Sequence, residues 1–183
     1  MRGMKIKSVE RICKSEHLIT LIGSEAGNQW IGAGDALYAL HGFPQMDEGS
    51  VFAWMDIPEA KRNKYVFRHD YELYDEYDFA DATVDERYIE RGRYVINTPT
   101  VSLEPLNVSE GVIYINTEYL KPFGAGMMLY ERKSRDGGIY IAVKEGLIIK
   151  GIILPRIVER SMADDLLEIA RLSKIAKRYM VEE

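Results

Sequence analysis

Short apolar runs separated by turn residues dominate the first third of the chain. Residues 17–23 (HLITLIG) are rich in β-branched and apolar side chains, and residues 29–34 (QWIGAG) follow a short polar turn. This pattern predicts two strands that fold back on each other. Residues 35–44 (DALYALHGFP) fit a helical turn or an extended strand, because their periodicity favours neither.

The next apolar run predicts a buried strand at residues 50–54 (SVFAW). Asp56 is a suitable cap for a short helix over residues 57–63, where Pro58 is tolerated in the first turn. Residues 64–69 (KYVFRH) then return to a strand pattern.

The second half of the chain predicts an order of elements β-α-β-β-β. A strand is expected at residues 112–116, followed by a short helix at 117–123. Three strands then follow, of which the first two are joined by a turn of sequence RDGG at residues 135–138. Pro155 ends the last strand. The three strands are expected at residues 127–133, 139–144 and 147–154.

An amphipathic helix is predicted at the end of the chain, over residues 161–180. Ser161 suits the N-cap position, and Asp164 three residues later resembles a capping box. Apolar residues recur at helical spacing, so the helix would cover the domain's own sheet or form a dimer seam. The apolar positions are Met162, Leu166, Ile169, Leu172, Ala176 and Met180.

Two segments of the chain echo each other. Residues 48–59 (EGSVFAWMDIPE) and 110–121 (EGVIYINTEYLK) both begin with Glu-Gly, continue with apolar residues and end in an acidic-apolar stretch. A short helix and an apolar strand are predicted after each of them. The echo is either a chance match or a sign of two β-α-β-β-β units, and the shared order of elements favours two units.

The second segment resembles a repeat unit of the DNA sliding clamps, the bacterial polymerase processivity factors. In those units a strand leads into a short helix with a Tyr-Leu pair, here Tyr119 and Leu120, and several hairpin strands follow. An apolar segment then ends in proline, here Pro155. Residues 29–64 are similar to the junction between two clamp units, so the resemblance covers these residues and 112–155.

The resemblance implies a non-catalytic accessory protein that binds duplex DNA or replication-type proteins. In clamps two units form one domain with the helices on one face, several domains close into a ring around DNA, and partner peptides enter an apolar surface pocket. This chain has units for one domain, so a ring requires a homo-oligomer. The acidic insert and the long terminal helix depart from the family pattern.

The sequence thus predicts an α+β fold with antiparallel sheets and short helices. Two clamp-like units are expected in residues 1–97 and 98–155, with an acidic insert at 70–90, and a C-terminal helix in residues 156–183. The insert contains nine acidic residues and one basic residue, interleaved with aromatic rings. A charge run of this kind is typical of a solvated face.

Composition excludes several classes of protein. The net charge of −5 disfavours a surface that attracts nucleic acid all over, although a local basic face is compatible with it. Cys13 is the only cysteine, so neither an intramolecular disulfide nor a cysteine metal cluster is possible. The chain lacks a long apolar run, and we expect a cytoplasmic protein that does not enter a membrane.

Basic residues cluster at three places in the sequence, and each cluster is either a phosphate-binding surface or an ordinary solvated face. The resemblance to clamps implies that the helix predicted at residues 57–63 faces DNA. The first cluster, which lies on and after this helix, is therefore the preferred DNA-binding site. The first cluster is Lys61, Arg62, Lys64 and Arg68, the second is Arg132, Lys133 and Arg135, and the third is Arg171, Lys174, Lys177 and Arg178.

Two other functions compete with the clamp interpretation. Glu131 and Lys133 form a Glu-x-Lys on a predicted strand, an arrangement that some Mg²⁺-dependent nucleases use. The acidic Tyr-rich segment is the basis of the other alternative, a protein-interaction module. No catalytic residue, cofactor or metal site is predicted otherwise, because His17, His41 and His69 lack paired zinc-ligand spacing.

Overall fold

A computed structural model describes residues 4–23, 29–69, 76–157, 164–166 and 168. The fold is mixed α+β, as the sequence predicted. The helices are α1 (Ile6–Glu16), α2 (Glu48–Trp54), α3 (Glu59–Arg62) and a 3₁₀ helix (Thr117–Leu120). The strands are β1 (Leu18–Gly23), β2 (Gln29–Ala33), β3 (Ala36–Ala39), β4 (Val66–His69), β5 (Arg87–Ile89), β6 (Ile96–Asn97), β7 (Ser102–Val108), β8 (Gly111–Asn116), β9 (Met127–Lys133), β10 (Ile139–Glu145) and β11 (Ile148–Ile153).

The strands form a large sheet of order β4-β1-β2-β3-β11-β10-β9-β5 and a small sheet of order β6-β7-β8. Two antiparallel meanders, β1-β2-β3 and β9-β10-β11, meet where the last strand of one pairs antiparallel with the last strand of the other. The strand order is therefore the same in both directions from the β3–β11 pair, β3-β2-β1 on one side and β11-β10-β9 on the other. Strand β4 pairs parallel to β1 at one edge, and β5 pairs antiparallel to β9 at the other.

The large sheet carries an apolar cluster on each face. One cluster joins α1, α2 and the 3₁₀ helix to the sheet and includes residues of the small sheet such as Leu106 and Ile115. The other cluster, around Trp30 and Tyr140, is partly covered by residues 76–86, which lie between β4 and β5 along the chain. All the described helices in contact with the core thus lie on one face, and an irregular acidic segment lies on the other.

The order β-α-β-β-β predicted for the second half is confirmed as β8, the 3₁₀ helix, β9, β10 and β11. The strand predicted at residues 50–54 is wrong, since this segment belongs to helix α2. Asp47 caps α2 by accepting a hydrogen bond from the Ser50 amide, at 2.8 Å. Val51, Phe52 and Met55 are buried at the spacing of one helical face rather than at alternating positions.

The two Glu-Gly segments consequently have different structures. Glu48 begins helix α2, whereas Gly111 begins strand β8 with a φ of 128°, a conformation that favours glycine. The echo in sequence is therefore not a structural repeat. The structural counterpart of the 3₁₀ helix and β9–β11 is α1 followed by β1–β3, and α1 was not predicted.

The predicted C-terminal helix falls largely outside the described residues, of which 164–166 and 168 are helical. The third basic cluster, at residues 171–178, also lies outside them. None of the helices in the described part of the chain has the length and hydropathy of a membrane span.

Candidate nucleic-acid interface

Helix α1 is amphipathic, with its apolar side against the sheet. Val9, Ile12 and Cys13 are buried there, and the Cys13 thiol lies 3.9 Å from the Gly32 carbonyl oxygen. Burial raises the pKa of the Cys13 thiol to about 12, so it has the character of a core residue and not of a nucleophile. The opposite side of the helix faces solvent.

Three basic residues of α1 share that solvent side. Lys7, Arg11 and Lys14 are spaced i, i+4 and i+7, which places them along one stripe of a helix. Lys14 contacts Glu10 at 2.5 Å, whereas Lys7 forms no ion pair among the described residues. Arg11 has 61% of its side chain exposed. This stripe is the first half of the candidate interface.

The 3₁₀ helix lies beside α1 on the same face of the sheet. The Lys5 amide donates to the Pro122 carbonyl at 2.6 Å, and the Tyr119 hydroxyl donates to Glu16 at 3.2 Å. These contacts lie at the two ends of α1. Buried Tyr38 fixes the 3₁₀ helix to the sheet by donating from its hydroxyl to the Tyr119 carbonyl, at 3.1 Å. Two segments more than one hundred residues apart therefore form one continuous surface.

Lys121 extends the basic stripe across to the 3₁₀ helix. It pairs with Glu118, which also lies 4.0 Å from Arg11. The side chains of both ion pairs are about half exposed. Solvent-exposed ion pairs contribute little free energy, so another anion can take the place of Glu118 at little cost. We define the basic surface as Lys5, Lys7, Arg11, Lys14 and Lys121.

The opposite face of the large sheet is acidic where residues 76–86 cross it. Tyr77 and Phe79 of this segment pack inward against Tyr140 and Trp30, at ring-centroid distances of 5.2 and 4.7 Å. Two rings of the acidic Tyr-rich segment therefore pack within the fold, whereas most carboxylates of residues 76–86 are exposed.

The first predicted cluster lies on α3, the turn after it and β4. Lys61, Lys64 and Arg68 are exposed, and in the described part of the chain none of them forms an ion pair. Arg62 is half-buried with its guanidinium 5.2 Å from the centre of the Phe52 ring, a cation–π contact that holds this side chain against the core. Three of the four predicted residues are thus accessible to a phosphate.

The second predicted cluster lies only partly at the surface, because Lys133 and Arg135 are exposed whereas Arg132 is almost completely buried. Its side chain is 2% exposed and donates to Glu86 and to the carbonyls of Asp78 and Ala80. The sequence could not reveal this role, since it depends on a partner more than forty residues away. Lys133 is exposed and pairs with Glu110 at 2.6 Å.

Both carboxylate oxygens of Glu131 are engaged in hydrogen bonds within the fold. One of its oxygens accepts from the Ser109 hydroxyl, and the other accepts from the Ser109 amide and from Arg87, both at 2.9 Å. Burial opposes ionisation, but these hydrogen bonds and Arg87 prevail and lower the pKa of Glu131. Among the described residues, no group of three or more His, Cys, Asp or Glu is arranged to hold a metal ion.

Comparison with protein-family models, with curated proteins and with solved structures found no match to this chain.

Neither helix α1 nor the basic stripe on it was predicted from the sequence. The signal was nevertheless present, since Lys7, Arg11 and Lys14 alternate with apolar Val9, Ile12 and Cys13 at helical spacing. What the sequence could not show is that residues 117–121 lie beside this stripe.

Proposed function

We propose that this protein is a non-catalytic, clamp-like accessory factor that binds duplex DNA through the basic surface of α1 and the 3₁₀ helix. One observation carries the proposal: each of the two meanders that meet at the β3–β11 pair is preceded by a helical segment, and the two segments are in contact. Such a pair of units, with its helices on one face, is what the resemblance to sliding clamps implies.

The chemistry of this surface suits contacts to phosphates. Lys7, Arg11, Lys14 and Lys121 carry flexible cationic side chains, which neutralise the DNA backbone without reading base edges. Binding is therefore expected to be independent of base sequence and strongly dependent on salt.

The proposal also includes assembly into a homo-oligomeric ring. A single protomer has one pair of meanders, and its large sheet ends at β4 and β5 in the described part of the chain. These two edges are where sheets of neighbouring protomers would meet, because edge strands present unpaired backbone groups. A cytoplasmic location and replication-type protein partners belong to the same proposal.

Duplex binding measured over a range of salt concentrations tests the surface. The Lys7→Glu, Arg11→Glu, Lys14→Glu triple variant is expected to bind a labelled duplex more weakly. The slope of log K against log of salt concentration should become shallower by about 0.9 for each phosphate that the variant no longer neutralises. Fluorescence anisotropy of the duplex gives both quantities.

The matched control is the Lys61→Glu, Lys64→Glu, Arg68→Glu triple variant. It changes the net charge by the same amount but alters the cluster on α3 and β4, so it separates local contacts from the overall field. The control is expected to retain most of the affinity. If only the control loses affinity, the DNA-binding interface lies at the cluster on α3 and β4 instead. Absence of salt-dependent binding by the unmodified protein would refute the proposal.

A further inference from the structure

A shallow cavity of about 540 Å³, largely open to solvent, lies between α1 and the 3₁₀ helix, within the basic surface. Its volume lies in the range of about 300–1,000 Å³ that is typical of small-molecule sites. Cationic, hydroxyl and apolar side chains line it together. The lining residues are Lys5, Ser8, Arg11, Arg91, Thr117, Leu120, Lys121, Phe123, Gly124, Ala125 and Met127.

The described lining of the cavity combines four cations with no carboxylate. Arg91 is held in place by Glu104, a buried carboxylate that receives two hydrogen bonds from it, at 2.8 and 2.6 Å. Glu118 lies outside the lining and contacts Lys121 and Arg11 from there. Three of the four cations are thus paired with Glu104 or Glu118, whereas Lys5 has no ion pair among the described residues. Glu145 also borders the cavity, since it accepts a hydrogen bond from the Gly124 amide at 2.7 Å.

Several donors in the cavity are available to a ligand. Within the residues that the structure describes, the Lys5 ammonium and the hydroxyls of Ser8 and Thr117 make no hydrogen bond or ion pair. Ammonium and hydroxyl groups are good donors to phosphate oxygens. These groups come from two separate elements, so they approach the cavity from more than one side.

We infer that this cavity binds a phosphomonoester, the terminal phosphate of a nucleotide. A phosphodiester inside a duplex has two free oxygens and is tethered on both sides, which suits the convex stripe of α1. A terminal phosphate has three free oxygens and a second negative charge, and it can enter a recess lined by cations. Leu120, Phe123 and Met127 form the apolar part of the lining, next to which the rest of the nucleotide would lie.

The inference rests on the proposed function, because it assigns DNA ends to one part of the basic surface. The same chemistry is found in a free mononucleotide. Two duplexes with a single-stranded 5′ overhang, one ending in phosphate and one in hydroxyl, together with thymidine 5′-monophosphate, distinguish these sources.

The phosphorylated duplex is expected to bind about tenfold more tightly than the hydroxyl duplex, the effect of one charge-assisted contact. The Lys5→Ala, Ser8→Ala variant should lose this preference. A Lys7→Ala, Ser15→Ala control removes the same residue types from parts of α1 outside the cavity, so it should weaken both duplexes equally. Thermal melting by circular dichroism checks that both variants are folded.

Equal affinity for the two duplexes, with no NMR shift of Ser8 or Thr117 on addition of the mononucleotide, would overturn the inference and leave the proposed function standing. Shifts with the mononucleotide alone would support the phosphomonoester site and identify a free nucleotide as its ligand. If no duplex binds at low salt, the proposed function fails. The mononucleotide titration then still tests whether the cavity binds a phosphomonoester.

Discussion

At the scale of single residues, Glu86 connects the acidic segment to the sheet. Its carboxylate lies between Arg132 and Lys144, whose side chains are 2% and 4% exposed. Arg132 also donates to backbone carbonyls of Asp78 and Ala80. One carboxylate thus compensates two buried cations, and one of those cations holds the segment in place.

Replacing Glu86 with Gln is expected to lower the free energy of unfolding at pH 7 by about 3–5 kcal/mol, because two buried cations lose their partner. The neighbouring Asp85→Asn is a matched control, since Asp85 is exposed and has no ion pair in the described part of the chain. Urea denaturation of both variants gives the comparison. Equal stability of the two variants would contradict the role assigned to Glu86.

The pH dependence of the free energy of unfolding gives a second test of the role of Glu86. Burial opposes ionisation of Glu86, but hydrogen bonds from Lys144 and Arg132 and the charges of both lower its pKa. A carboxylate whose pKa is lowered in the folded state stabilises the fold at pH values above its unfolded-state pKa of about 4.3. This stabilisation is lost as the pH falls from that value through the folded-state pKa. The unmodified protein should therefore lose more stability than Glu86→Gln between pH 7 and pH 3.

At the scale of elements, the pairing of β3 with β11 joins the two meanders. Gly151 of β11 lies opposite Tyr38 of β3. A Cβ at Gly151 would lie 2.9 Å from a ring carbon of Phe123 and 3.0 Å from the Leu37 carbonyl oxygen. Glycine at this position lets the segment after the 3₁₀ helix pack closely on the seam of the sheet.

The Gly151→Ala substitution is expected to destabilise the protein by about 1–3 kcal/mol, the usual cost of overpacking a core. Gly126→Ala serves as the control, because a Cβ at Gly126 has no atom within 4 Å among its described neighbours. Chemical denaturation measures the difference. A Gly151→Ala protein as stable as the control would show that the Phe123 ring moves aside without cost.

Elements could be predicted from the sequence where their signal is local. The β9-β10 hairpin was found because turn residues at 134–138, with Gly137 at a φ of 90°, separate two runs of strand-forming residues. Helix α2 was misread because Val51 and Phe52 are apolar neighbours, which suit a buried strand as well as a helix. Only Asp47, three residues before the Ser50 amide it binds, marked the helix start.

At the scale of the whole molecule, the fold depends on contacts that no local pattern encodes. The acidic segment was predicted as a solvated face, but its inward side depends on Trp30, Tyr140 and Arg132 from three separate strands. The candidate interface likewise combines Lys7 and Arg11 with Lys121. Sequence spacing indicated the stripe on α1, and only the folded structure shows what lies next to it.

The proposed ring predicts a mass in solution that is a multiple of 21.0 kDa. A closed ring is held on DNA by topology as well as by contacts, so the protein should stay on circular duplex at a salt concentration that weakens direct binding. Linearising the same DNA and removing its terminal phosphates should release it, because a ring can slide off a free end and such ends lack the phosphomonoester that the cavity is inferred to bind. Light scattering after size-exclusion chromatography gives the mass, and co-migration of protein with circular or linear DNA gives the retention. A 21.0 kDa monomer that leaves both DNA forms at the same salt concentration would exclude encirclement and reduce the proposal to a basic surface that binds DNA from one side.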